Sequence, residues 1–253
     1  MSLRDELVEM IRAGIDGQPR NSQRLPGPSE LGHPCQRRTG HKLAGTPEAN
    51  ERGTAWKPFV GTALHAQFEQ IIARQPDRFL TERKVMVGQV DGTDIWGSCD
   101  LFDLATGTVV DWKFTTRNMI REKYRPHGPG EQYQRQAHLY GRGFQLAGHD
   151  VREVAVFFWT RDGEFTDSHW WSEPYAAWIA EDTLAAATTT AHLLRDLGPA
   201  ALPLLPTADA HCPFCPMFQP GATDLTRACP GDPGREVRPD RTASLISKGA
   251  RTP

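Results

Sequence analysis

Two short segments of the chain carry residue types suited to cutting a phosphodiester. One is Gly97-Ser98-Cys99-Asp100-Leu101-Phe102-Asp103 and the other Thr108-Val109-Val110-Asp111-Trp112-Lys113. Ala105-Thr106-Gly107 between them reads as a turn, so the pair predicts a β-hairpin. Residues two apart on a strand share a face, which puts Asp111 and Lys113 on one side. A phosphodiester resists hydroxide because its anionic oxygens repel the nucleophile. Carboxylates that hold Mg²⁺ or Mn²⁺ overcome this, since the ion polarises the phosphate and lowers the pKa of a bound water. A lysine beside them can orient that water or neutralise charge developing in the transition state. Asp and Lys are also common on solvated strand faces. Here Val109-Val110 precede Asp111, and Trp112 and Phe114 follow it, which marks a mostly buried strand where unpaired charge is costly.

Two helices are expected to position partners for these groups. His65 and Glu69 are four residues apart and share a helix face, beside an apolar stripe of Val60, Leu64, Phe68, Ile71 and Ile72 that would press the helix onto a sheet. The pair then sits between core and cleft, where an imidazole or carboxylate could complete a metal site. Gln136 and Tyr140 have the same spacing, with Gln132 one turn earlier. Tyr133, Ala137, Tyr140 and Phe144 form that helix's buried stripe, so Tyr140 reads equally as core, and Gln136 is the better candidate for a contact to DNA or to a metal-bound water. After the second strand come Arg117, Arg121, Lys123, Arg125 and His127 with Tyr124 among them. Cations around an aromatic ring suit a nucleic-acid backbone track with base stacking, or a solvated loop. Arg37 and Arg38 are a second cationic candidate.

The cysteines form a separate group. Cys212-Pro213-Phe214-Cys215 has the spacing that lets two thiolates bind one centre, Cys229 precedes Pro230, and Cys35 lies near the N-terminus. Four-fold ligation requires the two ends of the chain to meet. Without a secretion signal, four cysteines favour a metal over disulfides, and zinc could recruit His211 as well. Cys99 points away from the Asp100 face and is expected in the core.

With 253 residues and a formal net charge of −2, the chain suits one α/β domain with appendages and has no global basic field. Contact with nucleic acid must then be a local patch. No apolar run is long enough to cross a membrane, and no secretory h-region is seen, so a cytoplasmic protein is expected. The expected elements are a helix from Ser2 to about Ile15, a helix over 36–44, the His65 helix and a strand near Lys84–Val90. The hairpin follows, then a helix from about Glu131 to Leu146 and a second hairpin, Glu153–Thr160 and Glu164–Ser172, turning at Asp162-Gly163. Ser172 and Pro174 would open a long helix to about Leu197. The organisation expected is an N-terminal helix and loop (1–28), a core (29–197), a Pro/Ala-rich linker with the cysteine segment (198–229) and a tail of disordered composition (230–253). Alternating strands and helices argue for a mixed sheet with helices on both faces.

These motifs, in this order, resemble the PD-(D/E)XK nuclease superfamily in its RecB-like form. Gly61-Thr62-Ala63-Leu64-His65-Ala66-Gln67-Phe68-Glu69 is similar to the G-x-x-x-H-x-x-x-E helix, Asp100 with Asp111-Trp112-Lys113 to the metal-binding core, and Gln136-Ala137-His138-Leu139-Tyr140 to the Q-x-x-x-Y motif. The bracketing cysteines resemble those of the iron–sulfur exonucleases: the fourth CRISPR-associated protein family, its phage-encoded relatives and the AddB nuclease domain. The resemblance covers roughly Ser29 to Cys229. It implies a restriction-endonuclease-like α/β fold, a mixed β-sheet flanked by helices, with the cysteine segment packed back on the N-terminal region. It implies a Mg²⁺- or Mn²⁺-dependent DNA exonuclease acting on single strands or ends, in recombination, repair or spacer processing. His65, Asp100, Asp111 and the Trp112 carbonyl would bind the ion. Lys113 would position the water, and Glu69, Gln136 and Tyr140 would support the site. Cys35, Cys212, Cys215 and Cys229 would hold a 4Fe-4S cluster. The partner would be a single-strand annealing protein or a CRISPR integrase. The thirteen residues between Cys215 and Cys229 exceed the family's short gap, which keeps Zn²⁺ open as the alternative.

Overall fold

A computed structural model describes residues 2–17, 26–50, 53–208 and 212–232. Helix α1 (Leu3–Asp16) is capped by Ser2, whose side chain accepts from the Asp5 amide. Short α2 (Pro28–Leu31) and α3 (Gln36–Leu43) follow, then α4 (Trp56–Ile72), which carries His65. Strands β1 (Phe79–Val90), β2 (Thr93–Asp103) and β3 (Thr108–Thr115) come next. β1 begins earlier than its apolar pattern indicates, because Phe79 to Thr81 pair with Leu101 to Asp103.

Residues 117–127 are helical, as α5 (Arg117–Met119), a π turn over Ile120–Tyr124 and α6 (Arg125–His127). α7 (Glu131–Leu146) leads to β4 (Glu153–Thr160). The expected hairpin turn at Asp162-Gly163 is instead a longer loop. Asp162 accepts from the Arg117 amide and Asp167 from the Glu164 amide, which fixes a 3₁₀ turn at Phe165–Asp167 before β5 (His169–Pro174). Ser172 and Pro174 therefore belong to β5, paired with Ala155 and Glu153, and α8 (Ala177–Leu197) starts later than expected.

The five strands lie in the order β1-β2-β3-β4-β5, with only the β3–β4 pair parallel. The sheet is thus mixed and flanked by helices. Its β3–β4 crossover contains α5 to α7. On one face Phe102, Val156 and Phe158 pack with Ala137, Tyr140 and Phe144 of α7 and Leu184 of α8. On the other, Trp112, Phe114 and Trp159 receive Phe68 and Ile72 of α4. No residue of α4 is fully buried, and Ile71, expected in its docking stripe, is exposed. At the β2–β3 turn, Gly107 has φ 71°, and a Cβ there would meet the Asp150 carbonyl at 2.4 Å, so only glycine fits.

Residues 198–208 are not a loose linker. A 3₁₀ helix spans Gly198–Leu204, and Ala201, Leu202 and Leu205 are buried. Arg37 of α3 donates to the carbonyls of Leu202 and Pro203 at 3.1 and 2.9 Å. Of the expected tail, 233–253 lies outside the described residues.

Candidate active site

The β2–β3 ladder runs from Asp103↔Thr108 to Leu101↔Val110 and stops where Asp100 would face Asp111. Two carboxylates opposite one another repel, so this is where the pairing is weakest. Asp100 replaces the ladder: its Oδ2 accepts from the Trp112 amide at 2.6 Å. Side chains of both flanking helices reach the carboxylates at this break.

From α7, Gln136 Nε2 donates to Asp111 Oδ1 at 2.9 Å and lies 3.4 Å from the Tyr140 hydroxyl. Asp111 Oδ2 is in direct contact with the Lys113 ammonium, while Gln136 Oε1, also buried, has no hydrogen-bond partner. Lys113 Nζ also sits 4.9 Å from the Tyr133 ring centre, a cation–π contact. Burial pushes the Asp111 carboxyl up to about 6, against the opposing pull of Lys113. From α4, His65 Nδ1 lies 3.2 Å from Asp100 Oδ1. Burial works against a charged His65, but the hydrogen bond and charge of Asp100 outweigh it and raise its pKa above the ordinary value. The His65 ring sits edge-on to Phe114, and Phe68 one turn on meets Trp112, Phe114 and Trp159 edge to face, which anchors α4.

His65, Asp100, Asp111, Lys113 and Gln136, singled out from the sequence, thus converge. Glu69 is half-buried on α4, one turn beyond His65. A residue that the sequence reading missed joins instead: ligand atoms of His65, Glu82 and Asp100 all lie within 4.8 Å of one another, a set that includes neither Glu69 nor Asp111. Glu82 falls between the Thr81↔Leu101 and Arg83↔Cys99 pairs, opposite Asp100, and has φ 45°. One imidazole and two carboxylates this close fit a hard divalent cation.

The cationic run divides. Arg117, Arg121 and Arg125 are exposed and Lys123 is half-buried. Tyr124 is not the base-stacking platform its neighbours suggest. Its ring is buried and stacked on Phe158, with centroids 4.1 Å apart.

Cys35, Cys212, Cys215 and Cys229 line one cavity, together with His33, Arg38 and His41. All four are free thiols. Asn50 donates to the carbonyls of Pro213 and Cys215, and Arg37 lies 3.9 Å from the Cys229 sulfur, so the segments carrying Cys35 and Cys229 are in contact. Burial raises the Cys215 thiol pKa. His41 is fully buried, and its Nε2 has no hydrogen-bond partner. His211 lies outside the described residues. Cys99 is buried in the core with its thiol toward the Leu101 carbonyl.

No protein-family model matches the chain, and no curated protein sequence matches it. Solved structures do resemble it. The crystal structure of SSO0001 superposes with a TM-score of 0.53 at 15% identity, over 86% of this chain and 95% of that one, so the two share a fold. An alkaline exonuclease, LHK-Exo from Laribacter hongkongensis, aligns with a TM-score of 0.46 at 13% identity, over 78% of this chain and 95% of that one. A phage-related exonuclease from Haemophilus somnus 129PT gives 0.45 at 10% identity, over 64% and 80%.

Proposed function

We propose that the protein is a metal-dependent DNA exonuclease that hydrolyses phosphodiester bonds from single strands or ends. The observation that carries this reading is the broken β2–β3 ladder, where Asp100 and Asp111 meet beside Lys113, Gln136 and His65. His65, Asp100, Asp111 and the Trp112 carbonyl would hold Mg²⁺ or Mn²⁺. The ion would polarise the scissile phosphate and acidify a water. Lys113 orients that water and offsets charge on the phosphoryl oxygens. Gln136 fixes the Asp111 carboxylate through Oδ1, and Oδ2 holds the Lys113 ammonium at the site. Glu69 and Tyr140 support the two helices. Arg117, Arg121, Lys123 and Arg125 track the DNA backbone by charge, without base stacking by Tyr124.

The four-cysteine cavity would hold a 4Fe-4S cluster, as the family resemblance implies, with Zn²⁺ as the alternative that four thiolates also suit. The cytoplasm and a recombination or CRISPR integrase partner complete this reading, as the family resemblance implies.

The test uses protein purified without oxygen and given end-labelled single- and double-stranded DNA with Mg²⁺ or Mn²⁺, beside Asp111→Ala. Cleavage lost in the variant supports the reading, and the product ladder gives the polarity. A folded, metal-replete wild type that does not cut any of these DNAs refutes it in favour of a non-catalytic DNA-binding module.

A further inference from the structure

We propose that Glu82 is a ligand of the catalytic cation and that β1 is held in an unfavourable backbone conformation to deliver it. The inference rests on the nuclease reading above and adds a residue to that site.

Three observations converge. Among the described residues, Glu82 forms with His65 and Asp100 the one group of three such donors whose ligand atoms lie within 4.8 Å of one another. Within that set the His65 Nδ1 to Asp100 Oδ1 distance is 3.2 Å. Adjacent ligands of an octahedral ion with bonds of about 2.1 Å stand roughly 3 Å apart, so these two atoms already span such an edge. Glu82 also has φ 45°, in the left-handed region that side chains with a Cβ avoid. Strain of this kind persists only where its surroundings impose it, and it clusters at functional sites.

The source of the imposition lies in the register. From the Asp91-Gly92 turn the pairs Val90↔Thr93 to Gly88↔Ile95 would continue to put Arg83 opposite Asp100. A bulge between Met86 and Gly88 shifts the register by one, and Glu82 takes that place. The bulge and the left-handed residue together exchange a cation for a carboxylate at the site. Bulges re-aim side chains in this way. One imidazole and two carboxylates then form a donor set suited to Mn²⁺, which accepts nitrogen more readily than Mg²⁺ does.

The experiment compares wild type, Glu82→Gln, Glu82→Gly and Asp100→Asn as full-length proteins. Mn²⁺ binding is read by the electron paramagnetic resonance of free Mn²⁺, and melting is read with and without chelator. Removing a partner that only supports a ligand weakens metal sites by about 10- to 100-fold, so losing a ligand should cost at least about tenfold in Mn²⁺ affinity in both Glu82 variants. Glu82→Gly should in addition melt higher than wild type in chelator and gain less on adding Mn²⁺, because glycine relieves the backbone while removing the donor. Wild-type Mn²⁺ affinity in both Glu82 variants, with Asp100→Asn impaired, overturns this inference and leaves the nuclease site standing. Absence of Mn²⁺ binding by wild type overturns the metal site as a whole.

Discussion

Neutralising Asp111 should make the metal-free protein more stable while destroying its activity. The Asp111 carboxyl is raised from 3.8 to about 6, chiefly by burial. At 1.36 kcal/mol per unit, this corresponds to about 3 kcal/mol. The sign follows from where the proton sits. Below pH 3.8 the group is protonated in both folded and unfolded chains. Between 3.8 and about 6 the folded chain holds the proton more tightly. The stabilisation from the protonated carboxyl is therefore lost as pH rises through about 6. Asparagine keeps the neutral shape at every pH, and Lys113, partly exposed, can turn its ammonium to water. Asp111→Asn in chelator should be more stable than wild type by about 3 kcal/mol at pH 7.5, which is roughly 6–12 °C in melting temperature for a chain of this size. The gap should close toward pH 4. Urea denaturation at the two pH values measures both effects. A variant less stable than wild type at pH 7.5, or a gap independent of pH, refutes the assignment of Asp111 as a buried charge held against its own solvation.

Lys113→Ala should reduce cleavage to background in the end-labelled DNA assay while far-UV circular dichroism and cysteine-bound metal stay as in wild type. Cys215→Ala should lower both the bound metal measured by elemental analysis and the melting temperature, because metal bound only by the folded chain contributes to folding. Phe68→Ala should cost about 2–3 kcal/mol in denaturant unfolding, since this ring is the main anchor of α4 against Trp112, Phe114 and Trp159. The same variant should raise the Mn²⁺ concentration needed for half-maximal cleavage, because α4 carries His65.

Most of the candidate site was legible in the sequence because its spacing is local. His65 and Glu69, Gln136 and Tyr140, and Asp111 and Lys113 each lie within one helical turn or one strand repeat, and the α7 boundaries match the apolar period. What escaped depends on contacts between distant segments. Glu82 reads as one more polar residue in Thr81-Glu82-Arg83-Lys84, and an unbroken ladder would have placed Arg83 at the site. The only signal was Gly88, with φ 150° and the Leu184 side chain filling the space of a Cβ, a glycine inside a strand that marks the bulge. Tyr124 sits among cations in the chain, yet its stacking partner Phe158 is on β4, more than thirty residues away. The composition of 198–208 is that of a linker, but Leu205 and Leu202 fill the space that a side chain at Gly40 of α3 would need.

The short stretch from Ser29 to Cys35 touches both α7 and the cysteine cavity. Ser29 accepts from Gln132 through its carbonyl, and a Cβ on Gly32 would lie 2.6 Å from the Gln132 carbonyl and 3.2 Å from the Gln136 nitrogen. Three residues later, Cys35 enters the cysteine cavity, its amide bonded to His33. Gly32 lies directly against the backbone of the helix whose Gln136 holds Asp111. Displacing Cys35 by oxidation should quicken amide hydrogen exchange at Gln136 before the rest of α7 responds. Unchanged exchange there after the cysteines are oxidised would show that the two sites are not coupled through this stretch. A change at the cysteines would then reach Asp111 through this short stretch of backbone, with every side chain around Asp111 chemically intact.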